Sequence, residues 1–211
     1  MEYPGYGIYH GKPSSEQIII DSEIVFDYLT LRLGVKTQNI IIFGRSIGSG
    51  PAAHLAAQRK VGGLILMSPY TSIRDVAKNI AGSVAQYFVA DRFRNIDKMK
   101  KVGCSICFLH GKKDKLIPFK HSQDLMEEFE KHIKGKESII SHHYFGENMT
   151  HNDFHFVHDL INPLKDFFKK TKVELKPADN DENEFENLPE EVFYAPKTFS
   201  NKKNSLFNFY L

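Results

Sequence analysis

The sequence is poor in cysteine, in long apolar runs and in net charge, and each shortage closes off a class of function. Its two cysteines, Cys104 and Cys107, lie three apart in an apolar stretch. On a strand they leave opposite faces, so neither a mutual disulfide nor a shared metal site is expected. No stretch approaches the roughly 18 uninterrupted apolar residues of a membrane span, and Met1 is followed by EYPGYG rather than by a basic and apolar leader. A reduced, cytoplasmic setting is the expectation, with any membrane association peripheral, through a substrate or through sequence preceding Met1. The formal charge of +2 comes from lysines and arginines scattered among acids. That pattern forms no basic stripe of the kind a phosphate backbone requires, and nucleic acid is not an expected partner.

What is present suffices for one core. Of the 211 residues, 41% are hydrophobic and 12% aromatic, and a single core typically serves ~100 to 200 residues. Residues 16 to 33 place Ile20, Ile24, Tyr28 and Leu31 at helical spacing. This predicts an amphipathic helix opened by a capping box of Ser14 and Gln17 and stopped at Gly34. Asn39 to Gly44, Gly63 to Met67 and Cys104 to Leu109 are short, nearly continuous apolar runs bounded by turn residues, the pattern of strands buried on both faces of a parallel sheet. Ser138 to Phe145 reads as a fourth strand. Helical stretches fall at about 47 to 59, 73 to 89, 119 to 134 and 153 to 170, the second with Ile73, Ala77, Ile80, Val84 and Phe88 on one face. The alternation predicts an α/β domain over residues 1–170, with a mostly parallel sheet and helices on both faces. From Thr171 the composition turns acidic and then aromatic. Residues 171–211 are expected to form a disordered tail, with Phe193, Phe207, Phe209 and Tyr210 as the alternative, a docking segment.

The most informative stretch is IIIFGRSIGSG, residues 40 to 50, where a run of branched residues stops at Gly44 and a serine follows, fenced by glycines. GRSIG fits GxSxG, a pattern common enough to mean little alone. Its context is a strand that must turn abruptly into a helix, the strained elbow that exposes a serine hydroxyl above a sheet. Gly44 and Gly48 then serve as the structural glycines of that elbow, because a side chain at either would collide as the helix folds back. A hydroxyl becomes a nucleophile only when a base takes its proton and an acid orients that base. Asp114 follows the strand CSICFLHG and His151 follows the strand ending HHYFG. The order Ser46, Asp114, His151 is the one this elbow architecture uses.

Other readings of the same residues compete. Taken alone, Asp114 is also a surface turn residue among lysines, and His151 is one of ten histidines. His151, His155 and His158 with Asp153 raise a metal site, against which stand the absence of an HExxH glutamate and the placement of His142 and His143 on opposite strand faces. No metal or cofactor is expected, and His54 reads as packing or surface. GRSIGSG also matches GxxxGxG, seen in dinucleotide-binding turns. The next strand, LILMSPY, offers no ribose-binding acid, so an oxidoreductase is the lesser alternative.

YPGYGIYHGKPSSE, NIIIFGRSIGSGP, LILMSPYTSIR, RFRNIDKMKKV, FLHGKKDKLIP and THNDF, together covering about residues 3 to 170, resemble the α/β-hydrolase domain-containing protein 17 family of serine hydrolases. The resemblance implies a partial α/β-hydrolase fold with Ser46 as nucleophile, His151 as general base and acid, and Asp114 as its orienter. It implies hydrolysis of acyl esters or thioesters, the family being known for removing palmitoyl groups from proteins. The expected partner is accordingly an acylated protein or a small acyl ester. Two departures stand out. The family's N-terminal cysteine cluster is absent, and the YPGYG loop normally follows the fourth strand, so the first strands of the fold are expected to precede Met1. The loop that supplies a second oxyanion donor goes with them, leaving the backbone amide of Ile47. Losing one donor typically costs ~3 to 4 kcal/mol of transition-state stabilisation. A shortened hydrolase with impaired turnover, acting as an interaction protein, is therefore the alternative function.

Overall fold

Four apolar runs become four parallel strands. The computed structural model describes residues 1–82, 84 and 87–173. In chain order its elements are α1 (Ser15–Asp27), β1 (Ile41–Arg45), α2 (Ser49–Gln58), β2 (Gly63–Met67), α3 (Ile73–Ala81), α4 (Asn95–Met99), β3 (Ile106–Gly111), α5 (Lys120–Ile133), β4 (Ser141–Gly146) and α6 (Asn162–Thr171). The strands lie side by side in the order β1-β2-β3-β4, every pair parallel, with Ile41 opposite Gly63, Leu64 opposite Ile106 and Ile106 opposite Ser141.

Because spatial order follows chain order, successive right-handed crossovers land on one face of the sheet. There α2, α4 and α5 pack side by side over a core of Ala52, Ala56, Leu64, Leu66, Met99, Ile106, Phe108, Leu125 and Phe129. The opposite face carries Ile65, Met67, Cys107 and Leu109, covered by Phe167 of α6. Full burial of a side chain of that size stabilises by about 1.5 to 3 kcal/mol. Cys104 and Cys107 fall into these two separate clusters, both as free thiols. His142 stacks on Phe167 while His143 stacks on Phe145, on opposite faces of β4 as alternation requires. Among the described residues β1 is an edge of the sheet, and Phe43 on it is 48% exposed. Among them, too, no helix is long and apolar enough to cross a membrane.

Several boundaries differ from the sequence expectation. Ser14 does cap α1, its hydroxyl accepting from the Gln17 amide at 3.3 Å, but the Gln17 side chain turns to Asp21 instead of closing the box. The buried stripe of α1 is Ile18, Ser22 and Phe26; Ile20, Ile24 and Leu31 are exposed. The run IIID presents apolar residues on more than one side, and spacing alone does not tell which side meets α2. After Asp27 the helix loosens into a wider turn over Tyr28–Arg32 and ends before Gly34, whose φ of 68° only glycine adopts freely. α3 ends at Ala81 rather than near 89, because Gly82 at φ 84° breaks it, and Val84 and Phe88 stand outside it, exposed. The last helical stretch opens with a wide turn over Phe156–Ile161, and α6 proper begins at Asn162 with Pro163 in its first turn. The expected tail lies, from residue 174 on, outside the described residues.

The tightest point is where β1 meets α2. A Cβ on Gly44 would sit 2.5 Å from both the Ala52 Cβ and the Gly48 carbonyl oxygen. Gly44→Ala is therefore expected to destabilise the chain by about 1 to 3 kcal/mol. Thermal unfolding followed by circular dichroism should show a midpoint lower by several degrees, about 2 to 8 °C; an unchanged midpoint would mean that the elbow relaxes freely.

Candidate active site

The three loops that hold the candidate residues leave the carboxyl ends of strands in the one parallel sheet. Ser46 follows β1, Asp114 follows β3 and His151 follows β4. In a parallel sheet those ends share one rim, which is why residues 37 and 105 positions apart can meet. Ser46 sits at φ 51°, the left-handed region that non-glycine residues rarely occupy, at the start of a tight turn leading into α2. The strain turns its hydroxyl outward. Gly48 gives a milder constraint than Gly44: a Cβ there would approach only the Tyr3 hydroxyl, at 3.2 Å.

The three side chains form a continuous relay. Ser46 Oγ lies 3.0 Å from His151 Nε2, and His151 Nδ1 lies 2.7 Å from Asp114 Oδ2. A carboxylate only accepts, so Nδ1 carries the proton, and Nε2 is left to accept from the serine hydroxyl. Asp114 is 6% exposed and His151 8%. The second oxygen of Asp114 accepts the backbone amides of Leu116 at 2.9 Å and Ile117 at 2.8 Å. Burial alone would push this carboxyl up, but hydrogen bonds from His110, His151 and the Ile117 amide outweigh it and hold the group well below the usual carboxylate range.

The backbone brings these loops together. Gly111 runs so close to the Asp114–His151 junction that a Cβ there would overlap the Met149 carbonyl, and the Lys113 amide donates to the same carbonyl at 3.1 Å. The histidine loop closes on itself through the Thr150 amide donating to the Asp153 carbonyl and the Asp153 amide donating to the Thr150 hydroxyl. Arg45, which sequence reading passed over, grips it from the nucleophile side. Its Nη2 donates to the His151 carbonyl at 2.6 Å and to Asn152 Oδ1 at 2.9 Å, and its guanidinium lies 5.8 Å from the centre of the Phe154 ring. The signal was in plain view as the residue inside GRSIG, but an arginine beside a serine has no spacing rule that announces its partner. Ile47 is held by its own carbonyl, which accepts from the buried Tyr70 hydroxyl at 3.2 Å.

Beside Ser46 lies an apolar cavity of about 440 Å³, lined by Ile47, Ile73, Val76, Ala77, Ile80 and Ile117 among others. Its size falls in the range of small-molecule sites. α3 supplies one wall, so the helix's apolar stripe faces Ser46 rather than the sheet core.

Other candidates do not assemble. His151 spends its ring nitrogens on Asp114 and Ser46, and the His155 ring accepts the His158 backbone amide. Among the described residues no group of three or more histidine, cysteine, aspartate or glutamate side chains could hold a metal. His54 ties α2 to α1 through Glu23 at 2.9 Å.

No family model matches the chain. Human α/β-hydrolase domain-containing protein 17B is 32% identical over 174 residues, 82% of this chain and 57% of that protein. Protein 17C of Xenopus tropicalis is 31% identical over 166 residues, 79% of this chain and 50% of its own length. These matches support a place in the α/β-hydrolase domain-containing protein 17 family. It spans only 57% and 50% of the lengths of these curated relatives. Among solved structures, a Pyrococcus furiosus esterase superposes with a TM-score of 0.59 at 14% identity, covering 80% of this chain and 68% of that one. An α/β hydrolase from Vibrio vulnificus gives 0.57 at 20% identity, covering 82% and 61%. The shared feature is the fold: a parallel sheet flanked by helices, as in α/β hydrolases.

If Arg45 anchors the histidine loop, Arg45→Met should lower the rate at which Ser46 reacts with an active-site phosphonate by about 10 to 100-fold, since a displacement of about 1 Å suffices for that. Arg45→Lys, whose shorter arm carries no planar guanidinium to lie over Phe154, should recover little. An unaltered rate in Arg45→Met would show that the loop holds itself.

Proposed function

We propose that this chain carries the nucleophile, base and acid of a serine hydrolase acting on acyl esters or thioesters, with S-acylated protein as the favoured substrate class. The observation that supports it is the hydrogen-bonded line from Ser46 through His151 to buried Asp114, opening beside an apolar cavity. Ser46 Oγ attacks the acyl carbon as His151 Nε2 takes the hydroxyl proton. The tetrahedral intermediate places its negative oxygen toward the elbow, where the Ile47 amide is the donor proposed to receive it. Collapse breaks the bond to the leaving thiol or alcohol, which departs with the proton from Nε2, and leaves Ser46 acylated. A water then repeats the sequence, giving its proton to Nε2 as it attacks and releasing the carboxylic acid when the proton returns to Ser46 Oγ. Throughout, Asp114 holds the imidazole in the tautomer that can accept.

An acyl chain gains by leaving water for the cavity beside Ser46, at about 25 cal/mol per Å² of apolar surface. That preference distinguishes a lipid-like acyl group from acetyl.

The test is labelling by a fluorophosphonate, followed by intact mass and peptide mapping. One adduct on Ser46 is expected, none in Ser46→Ala, and a rate lower by about 10⁴ in Asp114→Asn. Labelling that survives Ser46→Ala removes the assignment. A long-chain acyl thioester should be hydrolysed faster than its acetyl counterpart, and the reverse order removes the substrate class.

A further inference from the structure

A second histidine lies against the Asp114 carboxylate. His110, in β3, is fully buried. Its Nε2 lies 2.8 Å from the Ile117 carbonyl oxygen and 3.3 Å from Asp114 Oδ2. A carbonyl cannot donate, so Nε2 must carry a proton. On the other side of the ring, Nδ1 lies 2.7 Å from the Ser122 hydroxyl of α5, which donates to it and leaves the proton on Nε2.

The Asp114 oxygen within reach of His110 is the one that receives His151, at 2.7 Å. Two imidazole nitrogens therefore face a single oxygen, His151 Nδ1 directly and His110 Nε2 with a hydrogen it shares with the Ile117 carbonyl, while the other oxygen is occupied by two backbone amides. We propose that His110 is a positioning residue of the triad: it holds Asp114 Oδ2 through Nε2–H and thereby limits how strongly that oxygen binds the protonated form of His151. An oxygen already serving one donor is a weaker acceptor for a second, so imidazolium is stabilised less and the base remains available at lower pH.

Other ionisable groups near this cluster are few. His121 of α5 faces both His110 and Asp114 and is itself influenced by Asp75 and Asp124. Its Nδ1 is engaged by Thr71. Arg45 reaches the His151 backbone rather than its ring. Lys112 and Lys113 point away, to Glu147 and Asn148. None of these donates to Asp114 Oδ2.

The proposal rests on the hydrolase reading for its kinetic test, which compares the Ser46 labelling rate against pH in wild type, His110→Gln and His110→Phe. Glutamine keeps a donor near the position of Nε2; phenylalanine keeps the ring volume without one. His110→Phe should move the acid limb of the profile up by about one pH unit, and His110→Gln should stay with wild type. An acid limb that does not move in folded His110→Phe overturns the proposal, whatever happens to the plateau, and so does a shift of equal size in His110→Gln. Should His110→Phe fail to fold, ¹⁵N-histidine NMR of the wild-type chain and of Asp114→Asn decides: a His110 Nε2–H signal that shifts in Asp114→Asn supports the role, and one indifferent to Asp114→Asn, or a wild-type Nε2 without a proton, overturns it. Absence of any Ser46 labelling in wild type would sink the hydrolase reading, while the NMR result would still judge His110.

Discussion

A carboxylate removed from water must be matched donor for donor, and Asp114 is where this molecule meets that demand. Two backbone amides and His151 surround it, with His110 close by. Leaving such a charge unpaired would cost several kcal/mol. The loop after β3, the loop after β4 and the start of α5 are therefore tied to one small volume. Ser46 completes the arrangement from β1, where the crowding between Gly44 and Ala52 fixes the direction in which the chain turns.

The rest of the architecture makes that meeting possible. Parallel strands in simple order bring their carboxyl ends to one rim, and the helices that return the chain pile onto one face. α3 is the exception, since its apolar stripe faces Ser46 and forms one wall of the cavity. The hydrogen-bonded trio and the apolar cavity thus derive from different parts of the chain: the first from strand ends, the second in large part from a short helix that Gly82 terminates.

Ser46, Asp114 and His151 were legible because each stands just past an apolar run, and a strand's end is the best punctuated point in an α/β sequence. Gly63 to Met67 was read to the residue for the same reason. Where punctuation is absent, legibility fails. The face of α1 was misassigned because apolar residues ring the helix, and the length of α3 because Gly82 inside a helical pattern does not by itself announce a stop. Arg45 and His110 escaped notice for another reason. Each acts through a partner on a different strand or loop, and His110 looks like an ordinary core position in FLHG until Asp114 is seen beside it. α6 ends at Thr171, and the expected tail, from residue 174 on, lies outside the described residues.

The central claim is that His151 is held by Asp114 through Nδ1–H. Proton NMR of the chain with ¹⁵N-labelled histidine measures this without requiring turnover. The account predicts a far-downfield, exchange-protected proton on His151 Nδ1 that persists in Ser46→Ala and is lost in Asp114→Asn. A His151 whose Nδ1 bears no such proton, or whose signal is indifferent to Asp114→Asn, would contradict it.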